Sequence, residues 1–298
     1  MGQEEKAIET LLGLLKDDGS RVRSRAVESL GKLGNALSEV VNVLLGLLKD
    51  DSSIVRSRAA TSLGSFGNTS SEMVNGLLGL LKDDASIVRI RAVESLVQSG
   101  NTSSEVVNGL LGLLQHDASG VRSRAAEALV RLGNTSSEVV NGLLGLLEEE
   151  DFRVRSSATA SLGLLGNASS EVMNILLGLL KVKDDASDVR SSAVRSLGLL
   201  GNASSEVVNG LLGLLKDYDP NVRWSAAESL VQLRNTSSEV VNGLLGLLKD
   251  YDFMLHSSGA ESLVQLGQQK KVIQWIEEQP DDVPIGKAID GLRAIVVE

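Results

Sequence analysis

Apolar residues along this chain follow a pattern that renews itself every 33 positions. In the stretch 38–49, Val40, Val41, Leu44, Leu45, Leu47 and Leu48 form a wide arc at helical spacing, with Glu39, Asn42, Gly46 and Lys49 opposite. In 20–33, Val22, Ala26, Leu30 and Leu33 form a narrower stripe. Each stretch predicts an amphipathic helix. On a helical wheel of about 100° per residue, the buried stripe of the second helix centres near Ala26 and Leu33, and positions 21, 24, 25, 28 and 32 face outward.

A Val-Arg pair marks the second helix in seven copies, at Arg23, Arg56, Arg89, Arg122, Arg155, Arg190 and Arg223, and Leu255 with His256 stands in the eighth. The single longer step, from Arg155 to Arg190, is explained by the extra residues of KVKDD at 181–185. Between these marks NTSSEVVNGLLGLL recurs letter for letter at 101–114, 134–147 and 235–248. One such unit leaves both of its helices with uncovered apolar faces. Eight in a row can cover one another, which is the logic of a stacked repeat array.

Helix ends are signposted. TSSE at 69–72, 102–105, 135–138 and 236–239 predicts a reciprocal cap, with Thr as the cap and Glu three residues on. Gly133 sits where a left-handed helix stop is wanted, and Asp219 followed by Pro220 predicts a capped start. Acidic residues crowd the entry to the second helix, where the dipole favours them. Asn-Gly at 75, 108, 141, 209 and 242 is a hairpin signal, but it lies inside an uninterrupted helical apolar run. A mid-helix Gly46 costs roughly 1 kcal/mol against Ala, and the sequence supplies no reason for it.

The motif D-x-x-x-V-R-x-x-A-x-x-x-L, as in Asp84, Val88, Arg89, Ala92 and Leu96, resembles the HEAT family, particularly its short bacterial form, found also in phycobilin-lyase-like proteins and in arrays appended to NACHT-type NTPases. The resemblance covers about residues 2–267. It implies an all-α fold: a right-handed α-solenoid of eight two-helix repeats of about 33 residues, with the second helices lining the concave side. Residues 268–298 break the pattern. KKVIQWIEEQ and PIGKAIDGLRAIVV there predict a non-repeat helical cap, with Trp275 in its core.

Composition narrows the function. Only 2% of the 298 residues are aromatic, which disfavours a β-rich fold, and the absence of Cys excludes disulfides and thiolate metal sites. No stretch approaches the ~18 apolar residues of a membrane span, and MGQEEKAIETLL has no signal-peptide pattern, so the expected location is cytoplasmic. A formal charge of -10 works against polyanion partners.

Stacking residues repeat, so recognition is sought where the copies differ. Position 24 is Ser except at Ile90 and Trp224, and positions 28 and 32 vary freely. A basic row, Arg21, Arg25, Arg58, Arg91 and Arg124, is followed by serines in later copies. It reads either as a solvated flank paired with the Glu of position 28 or as a groove for an acidic segment or a phosphate. A second zone gathers Tyr218, Trp224, Tyr251, Phe253 and Met254 with Leu164, Leu199, Arg195 and Glu228, as protein-binding anchors or, for Phe253 and Met254, as packing toward the C-terminal cap. The arginine beside each Val is expected to be structural, bridging to the acidic turn of the next repeat.

No catalytic constellation is present. His116 and His256 are the only histidines and lack ligand-spaced companions, and no nucleotide or nucleophile-elbow motif occurs. The six Asn-x-Ser/Thr sites, at Asn68, Asn101, Asn134, Asn167, Asn202 and Asn235, read as helix caps. The expectation is a non-enzymatic scaffold without cofactor, binding a protein or peptide on the concave face. The alternatives are a phycobilin lyase-like, chromophore-handling protein and a binder of nucleic acid or phosphate along the arginine row.

Overall fold

The computed structural model describes residues 2–34, 37–67, 70–181, 187–250 and 252–278, the side chains of Phe253 and Ile276 excepted. Tyr251, the Phe253 side chain, Asn68 and Thr69, the KVKDD insertion beyond Lys181 and the second C-terminal helix lie outside the described residues. Among those described, every regular element is helical.

The chain falls into two compact units. The first, Met1–Leu146, holds α1 (Gln3–Leu14), α2 (Ser20–Leu33), α3 (Ser38–Leu47), α4 (Ser53–Ser65), α5 (Ser71–Leu80), α6 (Ser86–Gln98), α7 (Ser104–Leu113), α8 (Ser119–Arg131) and α9 (Ser137–Gly145). The second, Leu147–Glu298, holds α10 (Phe152–Leu164), α11 (Ser170–Leu179), α12 (Ser187–Leu200), α13 (Ser205–Leu214), α14 (Pro220–Gln232), α15 (Ser238–Leu247), α16 (Phe253–Gln265) and α17 (Gln269–Glu277). Within the units α1, α3, α5 and α7 pair as hairpins with α2, α4, α6 and α8, and α11, α13 and α15 with α12, α14 and α16. Within each unit the even helices stack on one another, α2 on α4 on α6 on α8 and α10 on α12 on α14 on α16, an α-solenoid arrangement.

The arc read from the odd helices is the buried one. Val106 and Leu110 of α7, and their counterparts in α3, α5, α9, α11, α13 and α15, are enclosed, each such side chain contributing about 1.5–3 kcal/mol. In the even helices the buried stripe is Val55, Ala59, Ala60 and Leu63 and their equivalents. Leu33 departs from expectation, being 40% exposed, and so does Val22 at 38%. Val22 lines an open pocket beside Leu11 and Leu14 of α1. Trp275 of α17 is buried, with α17 packed on α16.

Caps sit one residue later than the sequence pattern implies. The N-cap is the first Ser of TSSE, so Ser103 accepts from the Val106 N–H and Ser136 from that of Val139, while Glu105 and Glu138 occupy the second helical position. The preceding Asn completes the entry: Asn101 and Asn134 accept through Oδ1 from the N–H of Ser103 at 2.9 Å and Ser136 at 3.0 Å. At the other helix end seven glycines adopt positive φ, and in the seventh copy Arg234 holds φ 51° in their place, a strain of about 1–2 kcal/mol for a residue with a Cβ.

Two kinds of glycine face a neighbour closely, which explains part of what the pattern left open. A Cβ on Gly64 or Gly163 of the even helices would lie 2.8 Å or 2.6 Å from the Cα of Ser95 or Ser196 on the next. Those serines donate to the Ala60 and Thr159 carbonyls, both at 2.8 Å. The glycine admits the neighbouring backbone, and the serine hydroxyl ties the two helices together. The glycine of each Asn-Gly is a second close approach, since a Cβ on Gly109 would meet Leu81 at 2.8 Å. Gly46 and its equivalents face open space in the last turn of the odd helices rather than mid-helix.

Candidate binding surface

The Val-Arg arginines build a ladder along the turns. Arg23 meets Asp50 through Nε and Nη2, both at 2.8 Å, and Arg56 meets Asp83 at 2.6 and 2.8 Å. Arg190 pairs with Asp217 at 2.9 and 3.0 Å, and Arg223 lies 2.9 Å from Asp250. Each rung spans one repeat to the next. The remaining Nη1 of Arg23, Arg56, Arg122, Arg155 and Arg223 donates to the carbonyls of its own turn. The hydrogen bond from Arg56 holds the Asp83 carboxyl below the ordinary carboxylate range, and that from Arg23 does the same to Asp50.

His116 occupies the ladder position held by Asp50 and Asp83. Its Nδ1 accepts from the Ala118 N–H at 3.0 Å, as the Asp83 carboxylate accepts from Ala85 at 2.9 Å. It offers Arg89 no carboxylate. Arg89 bonds the Asp83 carbonyl and Ser86, and its buried Nε has no hydrogen-bond partner among the described residues. We therefore expect His116→Asp to raise stability by about 1.5–3 kcal/mol, the worth of a charged hydrogen bond. Chemical denaturation checks this, and an unchanged or lower midpoint would contradict it.

Of the positions expected to face outward, 21 and 32 are exposed in every copy, and 28 is exposed or half-exposed. Positions 24 and 25 are corrected. Ser24, Ser57 and Ser191 are buried at position 24, and Ser192, Ser225 and Ser258 at position 25, because these two positions meet across stacked even helices. Ser156 and Ser192 share a hydrogen bond at 3.0 Å, as do Ser191 and Ser225 at 2.9 Å. Ser192 and Ser225, two of the serines that follow the arginine row, are thus stacking residues.

Most of the row is paired with carboxylates at position 28. Arg58 reaches Glu28 at 2.5 Å, Arg91 reaches Glu94 at 2.6 Å, and Arg124 lies between Glu94 at 3.4 Å and Glu127 at 2.8 Å. Glu28 gathers Lys32 at 2.8 Å and Arg25 at 3.7 Å as well. Lys32, then Arg58 and Arg25, hold its carboxyl below the ordinary range. Arg21 is exposed beside Leu11, Leu14 and Val22.

The aromatic zone divides. Tyr218 is exposed, but its ring lies 4.6 Å from the Arg190 guanidinium, a cation–π contact over the ladder. Trp224, 42% exposed, and Met254 stand at the starts of α14 and α16, whereas Leu164 and Leu199 stand at the ends of α10 and α12. Start and end are separated by about 12 Å along such a helix, so these side chains line two edges rather than one spot. Arg195 is exposed and Glu228 half-exposed between them. Sequence reasoning missed Ile54 and Ile87, exposed at position 21 of α4 and α6. Their signal lay in the sequence, as apolar residues at an outward position of the wheel.

Among the described residues no group of three or more His, Cys, Asp or Glu side chains could hold a metal ion, and no helix is long and apolar enough to cross a membrane.

Comparison with curated proteins finds no match. Among solved structures, one of Kap95p bound to RanGDP aligns with 100% of this chain and 47% of its own, at 14% identity and a TM-score of 0.68. One of importin beta aligns with 87% of this chain and 41% of its own, at 16% identity and 0.64. This chain therefore spans less than half the length of either, and the likeness is one of fold. The CpcE–CpcF complex of phycocyanin lyase from Nostoc sp. PCC7120 aligns at 20% identity over 80% of this chain and 92% of its own, with a TM-score of 0.46, too low to bear on the argument. A family model described as HEAT repeats matches residues 2–64, 41–130, 74–163, 113–198 and 173–263. Those overlapping stretches follow the same paired helices and Val-Arg rungs from one end of the array to the other, and on that ground the chain belongs to the HEAT-repeat family.

Proposed function

We propose that the protein is a non-catalytic scaffold that binds a protein or peptide on the faces lined by its second helices, one face on each compact unit. A single observation carries the reading. Ile54, Ile87, Leu164, Leu199, Trp224 and Met254 are exposed on the even helices, whereas α3, α5, α7, α9, α11, α13 and α15 expose no large apolar side chain. Apolar side chains left in water on the varying face, and withheld from the copied one, are what a contact surface requires. Kap95p, whose fold is similar, is described in complex with RanGDP. The alternatives, chromophore handling and phosphate binding along the arginine row, have less support, because that row spends most of its charge on its own glutamates.

Trp224→Ala tests the reading. Trp224 is exposed where six other repeats carry a serine, so its loss should leave helicity and melting unchanged. Binding of a partner captured from source extract should fall about tenfold or more, as expected for a central aromatic anchor. Equal capture by both proteins in quantitative mass spectrometry would remove this face of unit two from the account.

A further inference from the structure

The basic row of unit one has one incomplete rung. An arginine at position 25 reaches back to a carboxylate at position 28 of the preceding repeat: Arg58 to Glu28 at 2.5 Å, Arg124 to Glu94 at 3.4 Å. Arg91 finds Thr61 in that place, and the Thr61 hydroxyl is turned inward to donate to the Ser57 carbonyl at 3.0 Å. The only carboxylate paired with Arg91 among the described residues is Glu94 on its own helix, and its side chain stays 45% exposed.

The gap lies in a groove of about 710 Å³ across α2, α4 and α6. Gly31, Ser57 and Ser62 keep its floor low, and Ile54 and Ile87, 53% and 46% exposed, flank one end. Charge here is the reverse of the molecule's. Lys32, Arg58 and Arg91 stand against Glu28 in the groove's lining, in a chain whose formal charge is -10. Arg91 follows Ile87 by one helical turn, about 6 Å, which is close to the two-residue repeat of an extended peptide.

We infer that this groove receives an acidic and apolar peptide segment of the partner protein, an Asp or Glu carboxylate lying over Thr61 on Arg91 and an apolar side chain two residues away between Ile54 and Ile87. The inference rests on the proposed function and names the chemistry of what unit one binds. A guanidinium fork already oriented by Glu94 takes a second carboxylate in bidentate geometry, and the isoleucines lose water when the adjacent side chain covers them.

The test is fluorescence anisotropy of a labelled decapeptide in which pairs of Glu alternate with pairs of Leu, so that each Glu has a Leu two residues away, with the matching Gln-Leu and Lys-Leu decapeptides and a ten-nucleotide single-stranded DNA as comparisons. The full chain should bind the Glu-Leu peptide at least tenfold more tightly than the other three, with affinity falling as salt rises. Thr61→Glu fills the gap with the residue that neighbouring repeats carry, so it should fold normally and lower the affinity at least tenfold, while Thr61→Gln stays within threefold of the parent. Three outcomes overturn the inference: no Glu-Leu binding by the parent, undiminished binding by Thr61→Glu, or equal binding of the Gln-Leu peptide or the DNA. None of these touches unit two, so a Trp224→Ala effect on partner capture would leave the broader reading standing.

Discussion

Gly163→Ala lowers the stability of this protein, against the ordinary preference of helices for alanine. The added Cβ would lie 2.5 Å from Ser196 Cβ and 2.6 Å from its Cα, and a backbone atom cannot swing aside. The helices α10 and α12 must separate, which breaks the 2.8 Å bond from the Ser196 hydroxyl to the Thr159 carbonyl. Overpacking and the lost buried hydrogen bond together cost about 2–3 kcal/mol, more than the roughly 1 kcal/mol that alanine returns through helix propensity. Gly178→Ala is the counterpart, since nothing lies within 4 Å of the Cβ it would carry. It should be neutral to stabilising by about 0.5 kcal/mol, because it sits in a last turn where propensity counts for less. Urea unfolding of both variants checks the pair. Shifts of the same sign would show that close helix approach is not what these glycines serve.

That contrast also marks what could be read from the sequence. The 33-residue period and the two helical stripes predict the hairpins and their stacking, because both follow from apolar spacing within one helix. Gly163 with Ser196, and Arg56 with Asp83, are contacts between repeats, and a single wheel places only one side of each. The same limit explains the correction at positions 24 and 25. Ser191 and Ser225 look outward on isolated wheels, yet they meet each other in the stack. Burial of Arg89 without a carboxylate was legible in principle, since His116 falls in the register of Asp50 and Asp83. The exposed faces of Leu164, Leu199 and Trp224 were legible because outward positions need no neighbour to be recognised.

Arg56→Met should cost about 2–4 kcal/mol. The guanidinium holds Asp83 at 2.6 and 2.8 Å and the carbonyls of Asp50 and Asp51 at 2.8 and 3.0 Å, with 17% and 8% of the two side chains exposed. Its removal leaves an enclosed carboxylate and unsatisfied carbonyls, and the figure sits below that for a fully buried pair because solvent reaches the rung. The pH dependence carries a sign. Pairing lowers the folded-state pKa of Asp83, so its stabilisation is complete above the unfolded-state value of about 4 and is lost as pH falls through the lower folded value. In Arg56→Met that loss has largely occurred already. Melting temperature plotted from pH 7 to pH 2.5 should therefore fall less steeply for the variant than for the parent. Parallel curves would mean that the rung does not couple the repeats.

The account assigns stacking to the copied residues and recognition to the varying rows of the second helices. A photoreactive benzophenone side chain at Leu199, on the even-helix face, compared with one at Asn209 on the outer side of α13, tests that division most directly. After illumination in source extract the account predicts one dominant adduct from the Leu199 site, abolished by an excess of unlabelled protein, and none from the Asn209 site. A competable adduct from Asn209 alone would contradict it.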